Sequence, residues 1–329
     1  MQQSTIYLDN NATTPLDERV FNAMKPYFFE CYGNAASNTH VFGMTAKKAV
    51  EDSRKTIAAL IGGKPEEIIF TSGATESDNL AITGAIEAST KTKKHIITCA
   101  IEHKAVLDTC AVLEKKGVEV TILPVNTDGV VSLESIEKAI TDNTVLVSIM
   151  HANNEIGSIQ PISDIGKLCK KHGVYFHTDA TQGIGKLPFN VEESYVDLAS
   201  LTAHKIYGPK GIGALYVRND CKISPLIHGG GHESGMRSGT LNVPGIVGLA
   251  KAIEVSVESL QEDAEYTADL RNQLLECLLK YCSTIRINGA DPRINPHLRL
   301  PNNLNVTLYG DEGELLSGAL WNVRSEEHT

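Results

Sequence analysis

The stretch TVLVSIMHANNEIGSIQPISDIGKLCKKHGVYFHTD, residues 144–179, decides the fold. It opens with a β-rich run, TVLVSIM (144–150), and passes through a polar loop into ISDIGKLCKKHG (162–173), whose apolar residues recur at helical spacing. It closes on a second apolar run, VYFHTD (174–179). A strand, a helix and a strand in that order form a βαβ unit, whose two strands lie parallel. The alternation extends outward in both directions. EIIFT (67–71), HIITCA (95–100) and VEVTILPV (118–125) precede it, and VDLASLT (196–202) and IGALYV (212–217) follow. ESDNLAITGAIEAS and KAVLDTCAVLEKKG supply helical patterns between the earlier runs. The expected fold class is therefore α/β with a mainly parallel sheet.

With 329 residues, 42% apolar and 21% charged, the chain can bury a full core and has room for two domains. From Pro244 the pattern changes to a long helical stretch, with Ile246, Leu249, Ile253, Val257 and Leu260 on one stripe and Leu270, Leu274, Leu275 and Leu278 continuing it. INPHLRLPNN and the short strand LNVTL follow, which we read as the passage into a smaller domain. No apolar run approaches the ~18 residues of a membrane span, and MQQSTIYLDNN lacks the features of a signal peptide. A cytoplasmic location is the resulting expectation. The seven cysteines are scattered, with no Cys-x-x-Cys pair, and read as reduced thiols. A net charge of −10 without a basic cluster argues against nucleic acid and leaves small molecules and other proteins as partners.

Ligands of a parallel sheet collect at the carboxyl ends of its strands. After EIIF comes TSGATES (71–77), small hydroxyl residues around Gly73 that open a helix and suit an anion such as phosphate. After HIITCA come Glu102 and His103, and after TVLVSIM comes HANNEIG, whose asparagines either form turns or bond a flat polar ligand. Asp179 ends the VYFHT run, where a carboxylate needs a cation or donors. Lys205, in TAHKIYGPK (202–210), stands just past VDLASL. Read alone it is a solvated lysine. Together, a phosphate nest, an aspartate for a ring nitrogen, an imidazole for a ring face and an amine for an aldehyde make the set that pyridoxal 5'-phosphate requires. A metal reading of His228 and His232 in HGGGHES is weaker, since no carboxylate partner stands at ligand spacing.

YLDNNATTPLD, GNAASNTHVFG, IIFTSGATESDNLAI, IEHKAVLDTC, SIMHANNEIGSIQPI, HTDATQGIGKLP, TAHKIYGPKGIGALYV and GGGHESGMRSGTLNV resemble, in this order, the signature segments of the cysteine desulfurases, class V of the pyridoxal-phosphate transaminase superfamily. The resemblance runs from about Tyr7 to about Leu320. It implies the fold type I of that superfamily: a large doubly wound domain, a small α+β domain and a homodimer. Residues 1–15 would contribute to the small domain, 16–260 form the large one and 261–323 an incomplete small one. By motif, Lys205 would hold the cofactor and move the substrate proton, and His103 would stack on the ring. Asp179 would pair with its nitrogen and Gln182 would reach its hydroxyl. Ala74, Thr75, Thr202 and His204 would hold the phosphate, and Asn154 would lie near the bound amino acid. Thr240, in RSGT, would contact the phosphate site of the partner subunit. Ala35 stands where the family commonly has proline, and Thr202 where serine is usual.

The implied reaction converts L-cysteine to L-alanine and passes sulfur, as an enzyme persulfide, to iron–sulfur scaffold or tRNA-thiolation proteins. The family's nucleophilic cysteine sits in a Ser- and Gly-rich loop. This chain instead ends in WNVRSEEHT, and none of its seven cysteines lies in a matching motif. The expectation is a chain that binds cofactor without normal desulfurase turnover. RSEEHT (324–329) matches the translated start of a common sequencing adapter and reads as a non-native tail. The alternatives are a selenocysteine lyase or another class V lyase, and a non-catalytic partner subunit that binds the cofactor.

Overall fold

The structure, a computed structural model, describes residues 6–282, 285–308 and 323–324. Readings that fall on 309–322 and 325–329, including most of the tail and the end of the small domain, lie outside the described residues. The chain begins with β1 (Ile6–Tyr7), α1 (Glu18–Met24), α2 (Pro26–Phe29) and α3 (Val41–Ile61). Strands and helices then alternate through β2 (Ile68–Thr71), α4 (Ala74–Ala88), β3 (His95–Cys99), α5 (Lys104–Lys115), β4 (Glu119–Leu123) and α6 (Leu133–Ala139). The series continues with β5 (Thr144–Ser148), α7 (Ile162–His172), β6 (Tyr175–Asp179), β7 (Leu198–Thr202) and β8 (Gly213–Val217). Helices α8 (Val243–Glu258) and α9 (Leu260–Tyr281) precede β9 (Ile285–Ile287), β10 (Val306–Leu308) and β11 (Val323–Arg324).

The seven runs expected from sequence are the seven strands of one sheet, each shortened at one or both ends, in the order β2-β8-β7-β6-β5-β3-β4. Pairing is parallel from β4 through β7, and β8 runs antiparallel to both β7 and β2. Side chains alternate between the two faces, as a pleated strand requires. Ile68 and Phe70 join the core that α3, α7 and α8 cover, whereas Ile69 joins the core under α4 and α5. The sheet is thus wound on both sides, and this matches the expected architecture.

The helical stretch after Pro244 is two helices, not one continuous stripe. The chain breaks at Ser259 (φ −98°, ψ 5°), whose hydroxyl bonds the Val255 carbonyl at 3.1 Å and the Asp263 carboxylate at 2.6 Å. The bond to Val255 O satisfies a carbonyl at the end of α8, and the non-helical ψ of Ser259 turns the chain there. Ile246, Leu249 and Ile253 are buried, but Leu270 and Leu274 on α9 are 46% and 45% exposed. Beyond α9, the buried Arg299 guanidinium gathers the 288–303 loop by bonding the carbonyls of Asn288 and Ala290 and the Asn303 side chain. That loop docks on the loop after β5 through Ile159 N–H to Leu298 O and Leu300 N–H to Gly157 O. β1 pairs parallel with β11, so Arg324, the first residue of RSEEHT, stands opposite Tyr7. Among the described residues no helix is long and apolar enough to cross a membrane.

Candidate active site

Between β4 and β5 the chain returns past β3, so successive connections leave opposite sides of the sheet at this point. A cavity of about 660 Å³ opens at the carboxyl ends of the strands around this switch. Its wall includes Ala74, Thr75, His103, Asn154, Asp179, Gln182, Thr202, His204 and Lys205. Nine of the ten residues singled out from sequence therefore meet around one space. The tenth, Thr240, lies outside it on an exposed, irregular segment.

The first turn of α4 supplies one end. Gly73 caps the helix with no side-chain acceptor, so the leading N–H groups of the helix point toward an incoming anion. β8 approaches this turn closely: a Cβ on Gly213 would lie 2.7 Å from Gly73 Cα and 2.5 Å from Leu201 O. Glu76, in the same turn, is held by Arg237 at 2.7 Å and by the Ser72 N–H at 2.8 Å. Both bonds keep its carboxyl below the usual range despite burial. Thr202 and His204 line the same cavity. Burial and the charges of Lys205 and Lys210 lower His204 to about 4, so its ring is neutral at pH 7 and offers a hydrogen bond without a charge.

Lys205 follows β7, and the N-terminal segment fixes its amine. Nζ donates to the carbonyls of Asn11 and Ala12, both at 2.6 Å, across sequence separations of 194 and 193 residues. The segment is laced to the lysine's own turn. Thr14 N–H and hydroxyl both bond His204 O, and Tyr207 N–H bonds the Thr14 hydroxyl at 2.7 Å. Tyr207 holds a positive φ of 60° in this turn, a conformation that surrounding contacts must impose.

Asp179 ends β6, 5% exposed, and takes the Thr181 N–H at 2.9 Å. Two further carboxyls lie behind it. Burial, reinforced by the charge of Asp179, pushes Asp78 well up and Glu102 up to about 8. Glu102 accepts from Met150 N–H at 2.8 Å and Cys99 Sγ at 3.0 Å. His103 caps α5 by accepting from Ala105 N–H at Nδ1, 3.1 Å, and its ring is exposed at the cavity. The two asparagines after β5 divide the roles left open from sequence. Asn153 closes a turn onto the N–H groups of Glu155 and Ile156 and bonds Ile101 O, whereas Asn154 lines the cavity.

These residues fit a phosphorylated aromatic aldehyde. The wall offers anion-binding amides at one end, an amine in the middle and a buried carboxylate, and Thr181 Oγ1 is buried beside it with no hydrogen-bond partner among the described residues. Sequence reading assigned no site role to Ala12, Thr13, Thr181 or Lys210, all of which line the cavity, nor to Asn11, whose carbonyl holds Lys205 and Gln182 at its edge. The DNNATTP segment was visible as a motif, but nothing local tied it to a lysine almost two hundred residues away. None of the seven cysteines lines the cavity, and burial pushes Cys110 and Cys169 up to about 12. Among the described residues no His, Cys, Asp or Glu cluster could hold a metal, and His232 Nδ1 accepts from Gly239 N–H.

Residues 6–312 match the family model described as aminotransferase class-V. The chain is 50% identical over 312 residues to the cysteine desulfurase IscS of Rickettsia akari (strain Hartford), covering 94% of this chain and 75% of that one. Among solved structures it is similar to a NifS-like protein, with a TM-score of 0.91, 44% identity and coverage of 97% and 86% of the two chains. It is also similar to SspA in complex with cysteine, with a TM-score of 0.85, 38% identity and coverage of 97% and 88%.

Proposed function

Because the chain belongs to the aminotransferase class-V family, and within it to the pyridoxal-phosphate-dependent cysteine desulfurases, we propose that its cavity binds pyridoxal 5'-phosphate through Lys205 and handles the Cα proton of L-cysteine. The observation that carries this is the convergence of Lys205, Asp179 and the uncapped start of α4 on one space. When bound, the cofactor supplies an electron sink for the Cα of an amino acid.

The chain's own residues do the rest. Lys205 anchors the cofactor, then takes and returns the Cα proton, with Asn11 O and Ala12 O as the acceptors that hold its amine in place. Asp179 gives the ring nitrogen an anionic partner, His103 covers one ring face, and Gln182 reaches the ring hydroxyl. Ala74 and Thr75, with Thr202 and His204, receive the phosphate, and Lys210 on the same wall adds a positive charge. Asn154 meets the amino acid. The reaction that follows yields L-alanine and leaves the sulfur on a thiol as a persulfide, and that thiol does not come from the cavity wall.

The working unit is a homodimer. Phe29, Tyr32, Val41 and Met44 around α2 and the start of α3 are 58% to 75% exposed, with the Tyr32 and Phe42 rings 5.5 Å apart. Such a patch suits a second copy of the chain. Thr240, exposed and outside its own cavity, serves the phosphate end of the partner's. Iron–sulfur scaffold or tRNA-thiolation proteins take the sulfur. Seven unpaired cysteines fit a cytoplasmic setting.

The test is to add the cofactor, reduce with borohydride and map the modified peptide, then follow Cα–H exchange of L-alanine in deuterated water. Neither measurement needs a sulfur acceptor. The adduct is expected on Lys205, and Lys205→Ala is expected to slow exchange about 1,000-fold or more. An adduct elsewhere, or exchange unchanged in the variant, would overturn the reading.

A further inference from the structure

One amine near the cavity has no part in that scheme. Lys186, four residues after Gln182, does not line the cavity, yet its Nζ lies 2.6 Å from Gln182 Oε1. Gln182 Nε2 in turn donates to Asn11 O at 2.9 Å, and Asn11 O is also a seat of the Lys205 amine. Lys186 Nζ donates, and the end of the amide it meets is the oxygen. The carbonyl of Asn11 has only lone pairs, so it must meet the nitrogen. Between them the two neighbours fix the amide in one orientation and leave the second Nε2 hydrogen of Gln182, a buried residue that lines the cavity, as a donor for a ligand there. Desolvation, with the charge of Lys205 added, lowers Lys186 to about 7, which accords with two amines sharing this corner.

We propose that Lys186 is a positioning residue: by donating to Gln182 Oε1 it holds that amide so that an N–H, and not a carbonyl, meets the ring oxygen of the cofactor beside Lys205. The inference rests on the cofactor reading above.

The first measurement is made on the protein before cofactor is added. With side-chain ¹⁵N-labelled glutamine, the Gln182 NH₂ pair, identified by its loss in Gln182→Ala, is expected to exchange slowly with water. In Lys186→Met it is expected to shift and exchange at least about 10-fold faster, while Lys186→Arg keeps the wild-type behaviour. The second measurement is cofactor affinity by fluorescence titration. Lys186→Met should weaken it about 10-fold, Lys186→Arg should restore it, and Lys186→Met combined with Gln182→Ala should bind no worse than Gln182→Ala alone. Circular dichroism melts confirm that each variant is folded. An unmoved Gln182 signal in Lys186→Met overturns the proposal, as does an additive double variant. If the wild type takes no cofactor while the signals still depend on Lys186, the positioning stands and the reading of the cavity falls.

Discussion

A methyl group on Gly183 would lie 2.0 Å from His151 Nδ1, so the residue after Gln182 has no room for a side chain. The clash is with a packed ring: His151 is buried, its ring 5.3 Å from that of Phe189 at a 37° tilt. Gly183→Ala is therefore expected to cost about 1–3 kcal/mol in urea unfolding and to displace Gln182. Unchanged stability would mean that the His151 ring turns aside freely. This scale was only partly legible in the sequence. The residue types at the strand ends announced their chemistry, because a lysine, an aspartate and a hydroxyl-rich helix start have few joint uses. Which of Asn153 and Asn154 closes the turn was not legible, since adjacent asparagines differ only in where the backbone points them.

At the scale of elements, the N-terminal segment matters more to the site than its lack of helix or long strand suggests. Thr14, 4% exposed, donates its hydroxyl to His204 O at 3.0 Å and accepts from Tyr207 N–H, so one side chain closes both ends of the lysine turn. Thr14→Val keeps the shape and removes both bonds, leaving the Tyr207 N–H and the His204 carbonyl each short of a partner. We expect a loss of about 2 kcal/mol in thermal or urea unfolding, together with faster hydrogen exchange at Tyr207. A variant as stable as the parent would show that the segment merely rests on the turn. Strand existence was legible here, because runs such as TVLVSIM and VYFHTD are dense in β-branched and aromatic residues. Strand direction was not. β8 reads like its neighbours yet runs antiparallel to them, because a short connection after β7 lets the chain turn straight back.

Across the whole molecule, burial of carboxyls behind Asp179 ties stability to pH. The Glu102 carboxyl, pushed up to about 8 from 4.5, is protonated in the fold at pH values where the unfolded chain has already released that proton. Its contribution is complete below about pH 4.5 and drains away as the pH rises through about 8. Glu102→Gln stays neutral throughout, so its urea midpoint should gain on that of the parent steadily from about pH 5 to about pH 8. A difference that does not change with pH would place the charge elsewhere in the cluster. Assembly belongs to this scale too. Val41→Asp should convert the proposed dimer to a monomer in sedimentation, and, if the partner's Thr240 serves the site as proposed, cofactor-loaded Val41→Asp should exchange the Cα proton of L-alanine more slowly.

The sequence by itself determined the α/β class, the seven strands and the residues that gather at their ends, because each is written in short windows where periodicity and residue type act locally. Only the tertiary structure decided that the Asn11 and Ala12 carbonyls seat the Lys205 amine, that Gly183 must be bare and that Lys186 grips Gln182 from behind. These depend on chain segments brought together by burial of the two cores, over separations at which neighbouring residues carry no record of one another.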